Sequence, residues 1–147
     1  MNNFEYSVTT KAKPRAAWDI FSNWRRWHTF ANIYGSLRWW RGEPWQVGSR
    51  MQIEILQPVV AMVDHVITSC EPGRKVSWLD HALGVTLEQW VLFHELPKGK
   101  GTEIETRGEF VGPALDIAGR TVGQVLTEFT HTWYGNFRAV CDQLAVE

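Results

Sequence analysis

A chain of 147 residues is short enough for one domain, taken as residues 1–147, and its 44% apolar and 21% charged residues are ordinary for a soluble globular protein. A net charge of −1 gives no general attraction for nucleic acid or anionic membranes, and no apolar run approaches the roughly 20 residues of a membrane span. The start, MNNFEYSV, lacks the basic and apolar regions of a signal peptide, and Cys70 and Cys141 match no metal spacing, so a cytoplasmic protein with free thiols and no metal is expected.

Phe4 to Lys11 alternates, with Phe4, Tyr6 and Val8 against Glu5, Ser7 and Thr9, the pattern of a half-buried strand. Lys13-Pro14 breaks it and predicts a helix from Arg15 to about Ser22, with Trp18 and Phe21 inward. A second short helical piece, Trp24 to about Ala31, is dense in aromatics. From Ser36 to Phe110 every signal is strand or turn. The strands are Leu37–Arg41, a segment around Met51, Ile53 and Ile55, then Val59–Cys70, Val76–Asp80, Val85–Leu96 and Thr102–Phe110. Glu71-Pro72-Gly73 and the loop Pro97–Gly101 supply turns, and connections this short predict an antiparallel meander.

Pro113 to Val146 reads as one long helix opened by a proline that fits its first turn. Leu115, Ala118, Val122, Leu126, Phe129, Trp133, Phe137, Val140, Cys141 and Leu144 recur at mostly three- and four-residue gaps, one apolar stripe on a rod of roughly 45–50 Å. Gly119 and Gly123, one turn apart beside that stripe, signal either a kink with close packing or space left for a guest.

Strand parity sorts the faces. Met51, Ile53 and Ile55 go together, as do Val63, His65 and Ile67 unless a bulge intervenes, and Val76, Trp78 and Asp80. Gln89, Val91 and Phe93 are preferred inward over Glu88, Trp90, Leu92 and His94, although both sets hold apolar residues. Ile104, Thr106, Gly108 and Phe110 share the last inner face.

With this order of elements in hand, the chain resembles the START-like, polyketide cyclase/dehydrase (SRPBCC) superfamily. The residues that carry the resemblance are Ala12-Lys13-Pro14 through Trp18, the aromatic segment Trp24–Trp27, Gly48-Ser49, Glu71-Pro72 through Val76-Ser77-Trp78, and Gly101-Thr102 with Glu109-Phe110-Val111-Gly112. The resemblance implies an α+β helix-grip fold, a curved antiparallel sheet wrapped around a long C-terminal helix with two short helices after the first strand. It also implies a cavity between sheet and helix for a hydrophobic or aromatic small molecule. Residues expected to line it are Trp39, Ile53, Trp78, Gln89, Val91, Phe93, Thr106, Val122, Leu126, Phe129 and Trp133.

Two function classes follow. One is a binding protein for a hydrophobic, aromatic or polycyclic molecule. The other is a cofactor-independent cyclase or dehydratase, with His65 as acid or base, Asp80 orienting it, and Gln89 or Thr106 bonding a carbonyl. The plainer reading of His65, and the favoured one, is a hydrogen-bonded core residue or an exposed one. His28 sits on one lip, and His81 and His94 belong to the rim or surface. A third class, docking of a protein partner in the groove, lacks an amphipathic extension to support it. No glycine-rich phosphate loop follows a strand, so no nucleotide cofactor is expected. Arginines interleaved with tryptophans at Arg25, Arg26, Arg38 and Arg41 read as surface stacking rather than nucleic-acid binding. The chain is expected to be a monomer or a homodimer, the latter through Trp40 and Trp90 if they face outward.

Overall fold

Alternation at both ends of the sheet sets its register. β1 (Asn3–Thr10) buries Phe4 and Val8 and pairs antiparallel with β7 (Thr102–Val111), from Asn3 opposite Glu109 to Thr10 opposite Thr102. Residues 2–145 are described by this computed structural model. β2 (Tyr34–Arg41), β3 (Arg50–Ile55), β4 (Ala61–Glu71), β5 (Lys75–Ala82) and β6 (Val85–Glu95) complete one seven-stranded sheet in the order β1-β7-β6-β5-β4-β3-β2. Every pairing is antiparallel, as the short turns require. β2 begins three residues earlier than its sequence pattern suggests, because Tyr34 pairs with Ile55 across a register shift. β4 starts at Ala61, leaving Val59 and Val60 in the loop.

α1 (Pro14–Phe21) follows β1 and buries Ala17, Trp18, Ile20 and Phe21. The second helical piece is a 3₁₀ turn at Trp24–Arg26 running into a single turn, α2 (Trp27–Phe30), whose buried residues are Trp27 and Phe30. α3 (Leu115–Ala145) crosses the concave side of the sheet as the long helix. Pro113 stands before it, in a turn where Leu115 N–H reaches Gly112 O at 3.1 Å and Asp116 N–H reaches Pro113 O at 3.2 Å. The expected helix end at Val146 lies outside the described residues. Ala118 departs from helical geometry (φ −127°, ψ 20°), so the first turn of α3 is offset from the rest immediately before Gly119.

The two halves of α3 are held differently. Its side-chain ties to the fold come from Trp133 onward: Trp133 to Tyr34, Asn136 to the Phe30 carbonyl, Arg138 to the Thr9 carbonyl, and Asp142 receiving Thr10 and Lys11. The first half relies on apolar packing alone among these described bonds.

Two apolar clusters fill the interior. The larger is a set of rings around Phe21, which lies 5.5 Å from Trp133, 5.6 Å from Phe93, 5.8 Å from Phe137 and 6.2 Å from Trp78, centroid to centroid. Trp45 joins it from the β2–β3 loop at φ 68°, a left-handed backbone that a tryptophan adopts only when packing compensates. The smaller cluster is Phe4, Leu87 and Phe110, with Val85, Leu115, Val122 and Leu126 against it. Gly108 permits this second cluster, since a Cβ there would fall within the Phe4 ring.

Candidate functional site

Register places the polar residues of the inner face at the seam between those clusters. His65 on β4 is opposite Asp80 on β5, and Asp80 is opposite Leu87 on β6, which belongs to the smaller cluster. One row along, Trp78 is opposite Gln89, and Gln89 is opposite Gly108. The inward parities of Ile53, His65, Ile67, Val76, Trp78, Gln89, Val91, Phe93, Ile104, Thr106 and Phe110 match the alternation read from sequence, each of these residues being buried.

His65 and Asp80 do meet. His65 Nδ1 lies 2.6 Å from Asp80 Oδ1, and Trp78 Nε1–H donates to Asp80 Oδ2 at 3.0 Å. With the carboxylate accepting at Nδ1–H, a neutral imidazole presents Nε2 as an acceptor. That nitrogen is buried and has no partner among the described residues. The His65 ring is boxed by aromatics, its centroid 5.0 Å from Trp78 and 6.1 Å from Trp27. The histidine side chain is 2% exposed and the aspartate 20%, so what solvent contact the pair has is on Asp80.

Gln89 Nε2 donates to Thr106 Oγ1 at 2.8 Å, and Thr106 Oγ1 donates to the Trp90 carbonyl at 3.0 Å. The threonine proton is therefore committed to backbone, leaving the second amide hydrogen of Gln89 as the donor of that pair. Two hydroxyls absent from the sequence reading complete the set. Tyr34 O accepts from Trp133 Nε1–H at 3.1 Å, and Tyr134 is buried on α3. Burial, reinforced by the charge of Asp80, pushes both phenols well above the usual tyrosine range, so both keep their protons and act as donors. Tyr134 carries a sequence signal, standing three residues before Phe137 and seven before Cys141 of the apolar stripe.

The remaining expected lining residues divide into three groups. Trp78, Phe93 and Trp133 touch Phe21 directly, so that part of the interior is closed by rings. Val122, Leu126 and Phe129 are half-buried on α3 near the seam. Trp39 stands further out, 6.0 Å from Trp24 and 5.5 Å from Trp45. Gly119 and Gly123 open an outer cleft of about 590 Å³ with Asn3, Phe110 and Gln124, and a Cβ on Gly123 would sit 3.5 Å from the Phe110 ring. A second outer cleft of about 770 Å³ lies between the Trp24–Asn32 segment and β2, and His28 lines it. His81 and His94 are exposed, and so is Trp40, while Trp90 is half-buried.

One end of the sheet is apolar on the outside. The antiparallel order puts the β3–β4 loop and the β5–β6 turn at this end of the sheet, and Ala114 N–H to Gly84 O ties the segment before α3 to the β5–β6 turn. Val60 (74% exposed), Leu83 (65%), Val111 (62%) and Ile117 (93%) all project from this end. Such a concentration marks a place where apolar matter meets the protein. Among the described residues no helix is long and apolar enough to cross a membrane, and no group of three metal-ligating side chains comes together.

The same architecture occurs in solved structures. The Zhui aromatase/cyclase from Streptomyces sp. R1128 superposes with a TM-score of 0.82 at 11% identity, over 96% of this chain and 93% of that one. A START superfamily protein from Mycobacterium smegmatis gives 0.78 at 12% identity, over 97% and 98%. Ara h 8.0201 gives 0.76 at 12% identity, over 95% and 96%. No protein-family model and no curated protein sequence matches the chain.

Proposed function

We propose, with the START-like helix-grip fold as premise, that the protein binds a hydrophobic aromatic small molecule at the seam between its two apolar clusters, beside His65 and Asp80. The observation that carries this reading is the buried Nε2 of His65, without a partner among the described residues. An unsatisfied buried polar atom costs about 1–3 kcal/mol, and a guest hydroxyl donating to Nε2 would remove that cost. The surrounding tryptophans suit a planar guest, and the half-buried Val122, Leu126 and Phe129 would cover it. The apolar end of the sheet gives such a molecule its approach. The guest class is therefore a hydroxylated arene. The two free thiols fit a cytoplasmic protein, and exposed Trp40 fits a monomer or a weak homodimer.

The test compares 2-naphthol with naphthalene by quenching of tryptophan emission, in the protein and in His65→Leu. Naphthol should bind tighter to the wild type, and the substitution should erase the preference. Native mass spectrometry of the purified protein should also show a retained guest. If no hydrophobic probe gives a saturable response and no extra mass is found, the reading fails.

A second reading rests on the His65–Asp80 contact itself. The pair, the second amide hydrogen of Gln89 and the Tyr34 hydroxyl together form a base and carbonyl donors, the parts needed for a cyclase or dehydratase working through an enol. One structural neighbour is an aromatase/cyclase. Deuterium exchange at the carbon beside the carbonyl of 1-tetralone, followed by NMR, tests this. Exchange above background that disappears in His65→Leu supports turnover, and exchange at the background rate removes it.

A further inference from the structure

We propose a second site, for a planar aromatic carboxylate, in the outer cleft between the Trp24–Asn32 segment and the edge strand β2. This cleft opens on the outside of the fold and shares Tyr34 with the His65–Asp80 seam, but the rest of its lining is of a different kind. Trp24 and Trp39 form its aromatic walls, their rings edge to face at 6.0 Å. Arg25, Arg38 and His28 line it as well, and none of its lining residues is acidic. A volume of about 770 Å³ is ample for a bicyclic molecule.

The two guanidiniums are uncommitted. Among the described residues neither forms an ion pair. Arg25 lies over the Trp24 ring, 4.4 Å from its centroid, and Arg38 Nη2 donates to the neutral Gln52 amide at 3.2 Å. Glu54 stands at the edge of the cleft beside Gly35, with its Oε1 engaged by the Ser36 N–H at 2.9 Å. Most other arginines of the fold do have carboxylate partners: Arg15, Arg50, Arg74, Arg107 and Arg138. Free cationic forks therefore collect where aromatic faces also collect.

Trp39 adds an independent observation. Its indole N–H is out of contact with solvent and has no partner among the described residues. A bound carboxylate could accept from that donor and from a guanidinium, while the guest ring packs against tryptophan. A neutral arene would leave both guanidiniums unanswered, and a polyphosphate strand would meet only two permanent cations, too few for salt-dependent backbone binding. A single carboxylate on a flat ring system matches the lining best.

The experiment titrates 2-naphthoate and its neutral isostere 2-naphthamide against the full-length protein, by tryptophan emission at low and high ionic strength. It is repeated in the double variant Arg25→Gln, Arg38→Gln, both positions being exposed and tolerant of the change. Naphthoate should bind saturably and about tenfold tighter than naphthamide at low salt, with the gap narrowing as salt rises. The double variant should lose about tenfold for naphthoate and nothing for naphthamide. Equal binding of acid and amide, an unchanged naphthoate affinity in the double variant, or no saturation at millimolar naphthoate would each overturn the assignment.

Discussion

Thr10 Oγ1 donates to Asp142 Oδ1 at 2.6 Å, joining residues 132 apart in sequence, and the Lys11 N–H reaches the same oxygen at 2.9 Å. This contact docks the last turns of α3 on the end of β1. Burial alone would raise the Asp142 carboxyl. The hydrogen bonds from Thr10 and Lys11, with Arg138 nearby, outweigh it and hold the group below its ordinary value. A carboxyl depressed in the folded state contributes stability above its unfolded pKa, and that contribution fades as pH falls through the folded one. Asp142→Asn should therefore lose about 1–2 kcal/mol near neutral pH, since hydrogen bonds to charged groups carry roughly this weight. The gap to wild type should close below about pH 4, where the unfolded carboxyl is protonated. Urea unfolding at several pH values checks this.

Asp80 accepts from both His65 and Trp78, so Asp80→Asn leaves the imidazole tautomer unfixed without emptying the site. The expected loss is about 1–3 kcal/mol of stability, together with the preference for hydroxylated over plain arenes. Thermal unfolding and the naphthol titration read the two effects separately. Preserved discrimination in Asp80→Asn would detach the aspartate from guest recognition.

Tyr34 and Tyr134 are neutral in the fold well beyond the usual phenol range, chiefly through burial. An unfolded chain would release those protons near pH 10, so stability should fall as pH climbs past that value. Absorbance at 295 nm should show two tyrosines that ionise only together with loss of near-ultraviolet circular dichroism. Smooth ionisation of all three tyrosines in a still-folded protein would contradict their burial.

Gly108 lies under the Phe4 ring, where an added Cβ would collide with the ring atoms. Gly108→Ala should cost about 1–3 kcal/mol by forcing Phe4 aside. Phe4→Ala removes the obstacle, so the double variant should be much less destabilised than the sum of the single ones. Chemical denaturation of the four proteins gives that coupling directly.

Much of this arrangement could be read before any coordinates. Period-two alternation told inner from outer residues along β3 and β7, because one face of each strand is more deeply buried than the other. The His65–Asp80 meeting followed from the same parity. The filling of the interior was not legible. Phe21 reads as an ordinary inward helix residue, and only tertiary packing puts it among Trp78, Phe93 and Trp133. Trp45 was hidden between turn signals, since nothing local foretells a left-handed tryptophan folded back on the core. The glycine pair in α3 suggested either a kink or room, and both occur: the break falls at Ala118, while the room opens to the outside.

The sulfur of Cys141 turns the anchored half of α3 into its own reporter. The thiol is fully covered, and burial, with Asp142 beside it, pushes its pKa up to about 12. A covered, protonated thiol is inert to alkylation. Iodoacetamide should thus modify the half-buried Cys70 first, and label Cys141 only when the helix end lifts from β1. The ratio of those two labelling rates times that undocking in native buffer, without denaturant and without any guest.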